Sequence, residues 1–166
     1  MSGLIRNLIT MIAAFFSRKR FDVSSTVECH FRITPFDCGT SVLKSDKYFQ
    51  LAESAQLDYL IKTGIFMKLR SDGVSFVNAS QLIKFMKPVG VFKRVRVETR
   101  IFYADEKFAY FSHAIFLGDQ QCGQVLVKMK FKARSLTIPP SEILGQFELD
   151  TPTHLQTWNQ TLEAMC

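Results

Sequence analysis

Residues 29–64, CHFRITPFDCGTSVLKSDKYFQLAESAQLDYLIKTG, contain the pattern that decides the fold. The stretch begins with a strand at residues 29–34 and continues through a loop that holds a single acid before Ser45, Asp37. It then predicts a helix over residues 48–61 that is apolar on nearly every side. A short helix of this kind has to be buried by what surrounds it, and strand-like sequence follows it. The pattern predicts a sheet wrapped around a buried helix.

The strands are indicated by alternation of apolar and polar side chains, which begins before the helix at residues 26–34. Four more strands follow the helix and are separated by turn-forming sequence. They are expected over residues 74–85, 92–103, 108–117 and 125–134. Tight turns between strands imply antiparallel pairing. The sequence therefore predicts an α+β fold, in which an antiparallel sheet of about five strands surrounds the central helix.

The chain of 166 residues is long enough for one domain with a single core. Hydrophobic residues make up 47% of it and charged residues 22%, as in a globular protein. We divide the chain into an amphipathic N-terminal helix at 1–20, a central domain at 21–150 and a C-terminal tail at 151–166. The tail is expected to be helical, because its apolar residues recur at helical spacing. They are Leu155, Trp158 and Leu162.

An apolar stripe at helical spacing opens the chain and ends in a basic cluster at residues 18–20. The uncharged run at 7–17 is too short to span a bilayer, which needs about 20 apolar residues. A signal peptide is weakly supported, because the run ends in the basic cluster rather than in a small-residue cleavage site. Two interpretations remain: the helix lies in a membrane interface, or it packs on its own domain or a partner subunit. The basic cluster favours the membrane. The stripe comprises Leu4, Ile5, Leu8, Ile9, Ile12, Phe15 and Phe16.

The net charge of +6 and the pI near 9.3 indicate anionic partners. Candidates are an anionic membrane surface, a CoA phosphate group and an acidic carrier protein. Nucleic acid is disfavoured, because the chain has no recognition-helix pattern and no aromatic-basic RNA motif. The four cysteines form no C-x-x-C pair and have no histidine at zinc-ligand spacing, so we predict no metal site. Unpaired, reduced cysteines are typical of the cytosol.

Three stretches carry a resemblance to a known family. They are residues 37–64, with DKYFQLAESAQ at 46–56 as the start of the helix, QLIKFMKP at 81–88 and YADEKFAYFSH at 103–113. In their order and spacing the chain resembles the 4-hydroxybenzoyl-CoA-thioesterase-like branch of the hotdog superfamily, over residues 27–144. It looks most like the subgroup of the mammalian "thioesterase superfamily member six" proteins.

The resemblance implies a hotdog fold, at least a homodimer, and thioester substrates of CoA or acyl-carrier protein in fatty acid metabolism. CoA or phosphopantetheine would belong to the substrate, so no separate cofactor is expected. In the family, a catalytic Asp lies in the loop before the helix. If Tyr48 anchors the loop without gaps, the Asp position falls on Cys38, the His position on Val42 and the paired Asn positions on Lys44 and Ser45. Asp37 matches the catalytic position only if one residue is deleted.

Thioester hydrolysis needs a carboxylate that attacks the carbonyl or activates water, and N–H donors that hold the oxyanion. Asp37 is the candidate base or nucleophile; alternatively it only caps a turn beside Gly39. The first N–H groups after Ser45 are the expected oxyanion donors. Positioning residues are expected to be Ser41, Ser45 and Tyr48. Glu53 on the helix is the second catalytic candidate, or else a buried structural acid.

Basic residues are candidates for holding CoA or carrier phosphates: Lys87, Lys93, Arg94 and Arg134. Further basic residues share the parity of Arg94 or Arg134 on their strands, which predicts a basic outer sheet face or simply a solvated one. They are Arg96, Arg100, Lys128, Lys130 and Lys132.

The sequence predicts a cytoplasmic acyl thioesterase, peripheral at the inner membrane face. The main alternative is a non-catalytic acyl-binding or scaffold protein that keeps the fold but lacks the loop chemistry. A dehydratase or hydratase on the same fold is disfavoured, because no histidine lies in or near the loop or helix. His30, His113 and His154 are interpreted as surface or packing residues.

Overall fold

The computed structural model describes residues 3–146 and 151–165. Five α-helices, six strands and a one-turn 3₁₀ helix are formed within these residues. In chain order they are α1 (Gly3–Phe16), β1 (Val27–Arg32), the 3₁₀ turn (Pro35–Asp37), α2 (Ser45–Lys62), α3 (Ile65–Ser71), β2 (Ser75–Phe85), β3 (Arg94–Ala104), β4 (Ala109–Leu117), β5 (Gln120–Ala133), β6 (Leu136–Ile138), α4 (Pro140–Leu144) and α5 (Thr153–Glu163).

The strands form one antiparallel sheet in the order β1-β3-β4-β5-β2. The short strand β6 extends it, pairing with the end of β5 beyond the point where β4 stops. Apolar and polar residues alternate in β3 and β5, and the apolar ones are buried. The predicted α+β architecture with an antiparallel sheet is confirmed; β6 was not expected from the sequence.

Helix α2 is the core element that the sequence predicts. The sheet side of α2 is fully buried, and the ring of Tyr59 packs edge-on against Phe111 of β4, with centroids 5.6 Å apart. The Tyr59 hydroxyl donates a hydrogen bond to the carbonyl of Val23. Gly123 of β5 lies so close to α2 that a Cβ there would be 3.1 Å from Cε1 of Tyr48. Only glycine lets the first turn of α2 approach the sheet this closely.

Helix α1 packs against α2 with its polar and small residues, because Arg6, Thr10 and Ala14 are buried. The Ser54 hydroxyl on α2 donates to Oδ1 of Asn7 at 2.5 Å. The other side of α1 exposes seven large apolar side chains, which we call the apolar face of α1: Leu4, Ile5, Leu8, Ile9, Ile12, Phe15 and Phe16. The predicted N-terminal helix is therefore present, but its hydrophobic stripe points away from the core. Within the described residues no helix is long and apolar enough to cross a membrane.

Helix α5 covers part of the outer face of the sheet. Its residues Leu155 and Trp158 are buried against Tyr110 of β4, whose side chain lies opposite that of Phe111. The amine of Lys128 on β5 donates to Oδ1 of Asn159 at 2.7 Å and lies over the ring of Phe108. The outer face that the sequence assigns to basic residues is thus partly closed by the C-terminal helix.

Candidate active site

The loop between the 3₁₀ turn and α2 is fixed at one end of the sheet by main-chain hydrogen bonds. The N–H of Leu43 donates to the carbonyl of Val89 at 2.8 Å, and the N–H of Lys44 donates to the carbonyl of Asp37 at 3.0 Å. Val42 forms an isolated bridge with Gly90. These contacts hold the loop and the N-terminus of α2 beside the β2–β3 connection.

Asp37 is fully buried, and both of its carboxylate oxygens accept hydrogen bonds. Oδ2 accepts from the N–H of Thr34 at 2.9 Å and from its hydroxyl at 2.7 Å, which closes a capping box around the 3₁₀ turn. Oδ1 lies 2.5 Å from Nη2 of Arg6, a residue of α1 that is itself 2% exposed. The carboxylate is therefore a buried ion pair that ties the loop to the N-terminal helix.

Burial raises the pKa of Asp37, but the hydrogen bonds from Thr34 and the Arg6 guanidinium outweigh burial and lower this pKa to about 2. Asp37 is consequently ionised at neutral pH. A carboxylate with this pKa is a weak base, and its oxygens are engaged by donors from its own chain. The described conformation matches the capping role that the sequence left open for Asp37, with Arg6 as an added partner.

Arg6 also lines a cavity of about 290 Å³ between α1, β1 and α2. Among the described residues, Nε and Nη1 of Arg6 have no hydrogen-bond partner. The opposite wall includes Cys29 of β1 and Asp58 of α2. Asp58 pairs with Lys62 at 2.7 Å. Burial, and then the charge of Asp58, raise the pKa of Cys29 to about 12, so this thiol is not an activated nucleophile at neutral pH.

The other predicted catalytic and positioning residues are spread along the loop and α2. Ser41 and Ser45 are exposed, in the loop and the first turn of α2 respectively. Tyr48 is buried, and its hydroxyl donates to the carbonyl of Lys87 at 3.5 Å. Glu53 is exposed rather than buried, and it lies about 12 Å along the helix from Ser45 at 1.5 Å per residue. The structure therefore does not bring Glu53 to the N-terminus of α2.

The predicted phosphate-binding residues separate into two groups. Lys87, Lys93 and Arg94 are exposed in the β2–β3 connection and the first position of β3, at the same end of the sheet as the loop. Arg134 is exposed in the turn after β5, whereas Lys87 lies next to the first residues of that strand. The length of β5 therefore separates Arg134 from the other three.

His113 on β4 is a buried group whose environment the sequence did not reveal. It is fully buried and stacks on Phe111, and its Nδ1 lies 2.9 Å from Oγ1 of Thr99. Its Nε2 has no partner among the described residues. Burial lowers the pKa of His113 to about 3, so the ring is neutral. The one sequence signal was that residues 108–117 are apolar on both faces, which places a histidine there in the core.

The comparison with protein families assigns the fold. The family model of the thioesterase-like superfamily matches residues 37–146, which is most of the chain. The chain belongs to this superfamily. Its matched part begins at Asp37 and includes the loop, α2 and the whole sheet except β1. Arg6 and the rest of α1 lie before the matched residues, so the ion pair joins a helix outside the match to the first matched residue. No curated protein matches the chain in sequence.

Solved structures share the fold at low sequence identity. A hypothetical protein from Thermus thermophilus has a TM-score of 0.67 and 17% identity, over 76% of this chain and all of its own. A probable thioesterase from Escherichia coli has a TM-score of 0.66 and 14% identity, over 71% of this chain and 96% of its own. A 1,4-dihydroxy-2-naphthoyl-CoA thioesterase from Synechocystis has a TM-score of 0.62 and 16% identity, over 77% of this chain and all of its own. The superfamily protein described here has the predicted hotdog fold.

Proposed function

We propose that the protein binds acyl thioesters of CoA or acyl-carrier protein and hydrolyses them. The observation that carries this proposal is the segment 37–44, which begins at Asp37, lies within the superfamily match and leads directly into the N-terminus of the buried helix. The first N–H groups of α2, at Ser45 and Asp46, precede the helical hydrogen-bond ladder. Together with the helix dipole, such donors stabilise the oxyanion that forms when a thioester carbonyl is attacked.

Asp37 supplies the carboxylate in this proposal, as base or nucleophile. In the described conformation its oxygens are held by Thr34 and Arg6, so attack on a substrate requires the Arg6 contact to open. This ion pair is also the observation that favours a second candidate function, in which the protein binds acyl thioesters without hydrolysing them. The two functions differ in one measurable quantity, which is the release of free thiol.

The test is thiol release from short, long and aryl acyl-CoA esters and from acyl-carrier protein. We expect wild type to hydrolyse at least one ester and Asp37→Asn to lower the rate at least about 100-fold, the scale of a lost acid-base group. Glu53→Gln is the matched control, because Glu53 is an exposed acid outside the loop. Far-ultraviolet circular dichroism checks that the variants are folded.

Three results would change the assignment. A rate retained by Asp37→Asn and lost in Glu53→Gln would move the chemistry to Glu53. A rate retained by both variants would place it on neither acid. Ester binding by calorimetry without thiol release from any substrate would establish the second candidate.

We propose that the protein is a homodimer joined through β2. Among the described strands β2 pairs only with β5, and it exposes Val77, Leu82 and Phe85. An exposed apolar edge strand is a template for pairing with another strand. Sedimentation should therefore show a dimer in wild type and a monomer in Val77→Lys/Leu82→Lys. Met67→Lys, at an equally exposed position on α3, should leave the dimer intact; a dimer that survives the β2 substitutions contradicts this interface.

Two further partners complete the proposal. The exposed cations beside the loop are proposed to hold the phosphates of CoA or of a carrier: Lys87, Lys93 and Arg94. Arg134 is left out because it lies at the other end of β5. An anionic membrane surface is the remaining partner, and it would place the enzyme peripherally on the cytoplasmic side of a membrane.

A further inference from the structure

We propose that α1 seats the protein on an anionic lipid bilayer through its apolar face while the helix stays docked on α2. This inference deepens the proposed function by naming the membrane-binding surface and its orientation. It starts from an inverted arrangement, in which α1 turns its charged and small residues inward and its large apolar residues outward. Arg6 is 2% exposed, whereas Leu4 is 81% and Phe16 85% exposed.

The apolar face of α1 is too large and continuous to be scattered surface hydrophobicity. Its seven residues occupy one arc of the helix, because they recur at spacings of three and four. Phe15 packs edge-on against Phe66 of α3, with centroids 5.8 Å apart, and remains 43% exposed. At 14 residues the helix is about 21 Å long, shorter than the hydrocarbon core of a bilayer. A helix of this kind lies in the interface plane rather than across it.

The positive charge beside the apolar face of α1 indicates that this face binds an anionic surface. Arg18, Lys19 and Arg20 follow α1 directly and are all exposed. Residues 1–20 contain no Asp or Glu, so the segment carries only positive side-chain charge. Basic residues beside an interfacial helix contribute additively to binding anionic headgroups. A second copy of this chain would present the same uncompensated positive charge.

Lipid binding does not require α1 to leave the domain, because the inner side of α1 is already engaged. Arg6 is paired with Asp37, and Asn7 accepts from Ser54. A Cβ on Gly3 would lie 3.2 Å from Oε1 of Gln50, so the first turn of α1 contacts a side chain of α2. Asp37 therefore lies behind α1, on the side of the helix that faces away from the bilayer. If the proposed hydrolysis holds, this position at the bilayer favours substrates with long acyl chains, because such chains partition into the membrane.

The test is co-sedimentation of the full chain with vesicles of phosphatidylcholine, alone or mixed with phosphatidylserine. Wild type should bind the mixed vesicles more tightly than the neutral ones. Ile9→Ser/Ile12→Ser/Phe16→Ser should weaken binding at least about 30-fold, because three exposed apolar side chains no longer enter the lipid. Arg18→Ser/Lys19→Ser/Arg20→Ser should weaken binding to the mixed vesicles by about 100-fold and remove the preference for phosphatidylserine.

The control is Met67→Ser/Leu136→Ser, which removes equally exposed apolar side chains on α3 and β6 and should not change vesicle binding. Equal binding by wild type and the α1 serine variant overturns the proposal. Equal binding of wild type to neutral and mixed vesicles contradicts the proposal that the surface must be anionic. If wild type does not bind vesicles and the α1 serine variant forms a smaller oligomer, the apolar face of α1 contacts a second copy of the chain. That result also overturns the proposal. Vesicle binding is read without substrate, so loss of the proposed hydrolysis cannot imitate any of these results.

The docked position of α1 is tested with Ser54→Cys. Ser54 is fully buried beneath α1, so the new thiol should react slowly with a maleimide, at the same rate with and without vesicles. The parent chain gives the background from its native thiols, of which Cys29 is half-buried. Labelling of Ser54→Cys that accelerates on adding vesicles would show that lipid pulls α1 away from α2, and it would overturn the docked seat.

Discussion

Replacing Arg6 with methionine is expected to lower the free energy of unfolding by about 3–5 kcal/mol, the scale for breaking a buried ion pair from one side. Methionine fills similar space but removes the Arg6 guanidinium from the buried Asp37 carboxylate. Thr34 still donates two hydrogen bonds to Oδ2, and these do not neutralise the charge. The variant should loosen the packing of α1 on α2 and raise the pKa of Asp37, because the Arg6 hydrogen bond and charge that help to lower this pKa are lost. Urea denaturation followed by circular dichroism measures the loss.

The matched experiment is the double variant Arg6→Met/Asp37→Asn, which removes both charges. It should recover most of the stability, because replacing a whole buried pair is often close to neutral. Arg18→Met removes an exposed arginine just after the same helix and should change stability by less than about 0.5 kcal/mol. If Arg6→Met costs no more than Arg18→Met, the Arg6–Asp37 pair does not stabilise the fold.

Helix α2 could be predicted from the sequence, whereas the ion pair between Arg6 and Asp37 could not. The apolar residues of α2 and the alternation of β1 and β3 predict a sheet around a helix, because burial imposes a period that can be read locally. The same periodicity finds α1 and its two faces, but it does not say which face meets the protein. Arg6 is a single charge on the side of α1 opposite the apolar face, and its partner lies 31 residues further along the chain. Such a pair depends on how two elements dock, which no local pattern encodes.

The candidate site could likewise be predicted from the sequence only in part. The position of Asp37 before α2 follows from the order of strand, turn and helix, and the superfamily match includes it. Its Oδ1 is engaged by Arg6 of α1 and its Oδ2 by Thr34, and both of these residues lie outside that match. Glu53 lies in a helix that is otherwise largely buried, so a buried position was compatible with the sequence. The structure places Glu53 on the exposed side of α2. Local pattern locates an acid on the chain, whereas tertiary packing decides which atoms its oxygens meet.

His113 is expected to make the protein acid-labile by about 1.4 kcal/mol per pH unit below its ordinary pKa of 6.5. Burial lowers the pKa of His113 to about 3 in the folded protein, so the unfolded chain binds the proton first. The stabilising contribution is complete above pH 6.5 and is lost progressively as the pH falls towards 3. Between pH 6.5 and 4.5 this amounts to about 2–3 kcal/mol. Urea midpoints across this range measure the slope.

Thr99→Val/His113→Leu isolates this contribution, because it removes the titrating ring together with its buried hydrogen-bond partner. Replacing both partners by apolar groups of similar shape can be nearly neutral, so the double variant should match wild type near pH 7.5. Below pH 6.5 its stability should fall less steeply than that of wild type, and the variant should be the more stable protein at pH 4.5. His30→Leu, at an exposed histidine, should keep the wild-type slope. Parallel pH curves for wild type and the double variant would show that His113 accepts a proton in the folded state, through an opening that gives water access to Nε2.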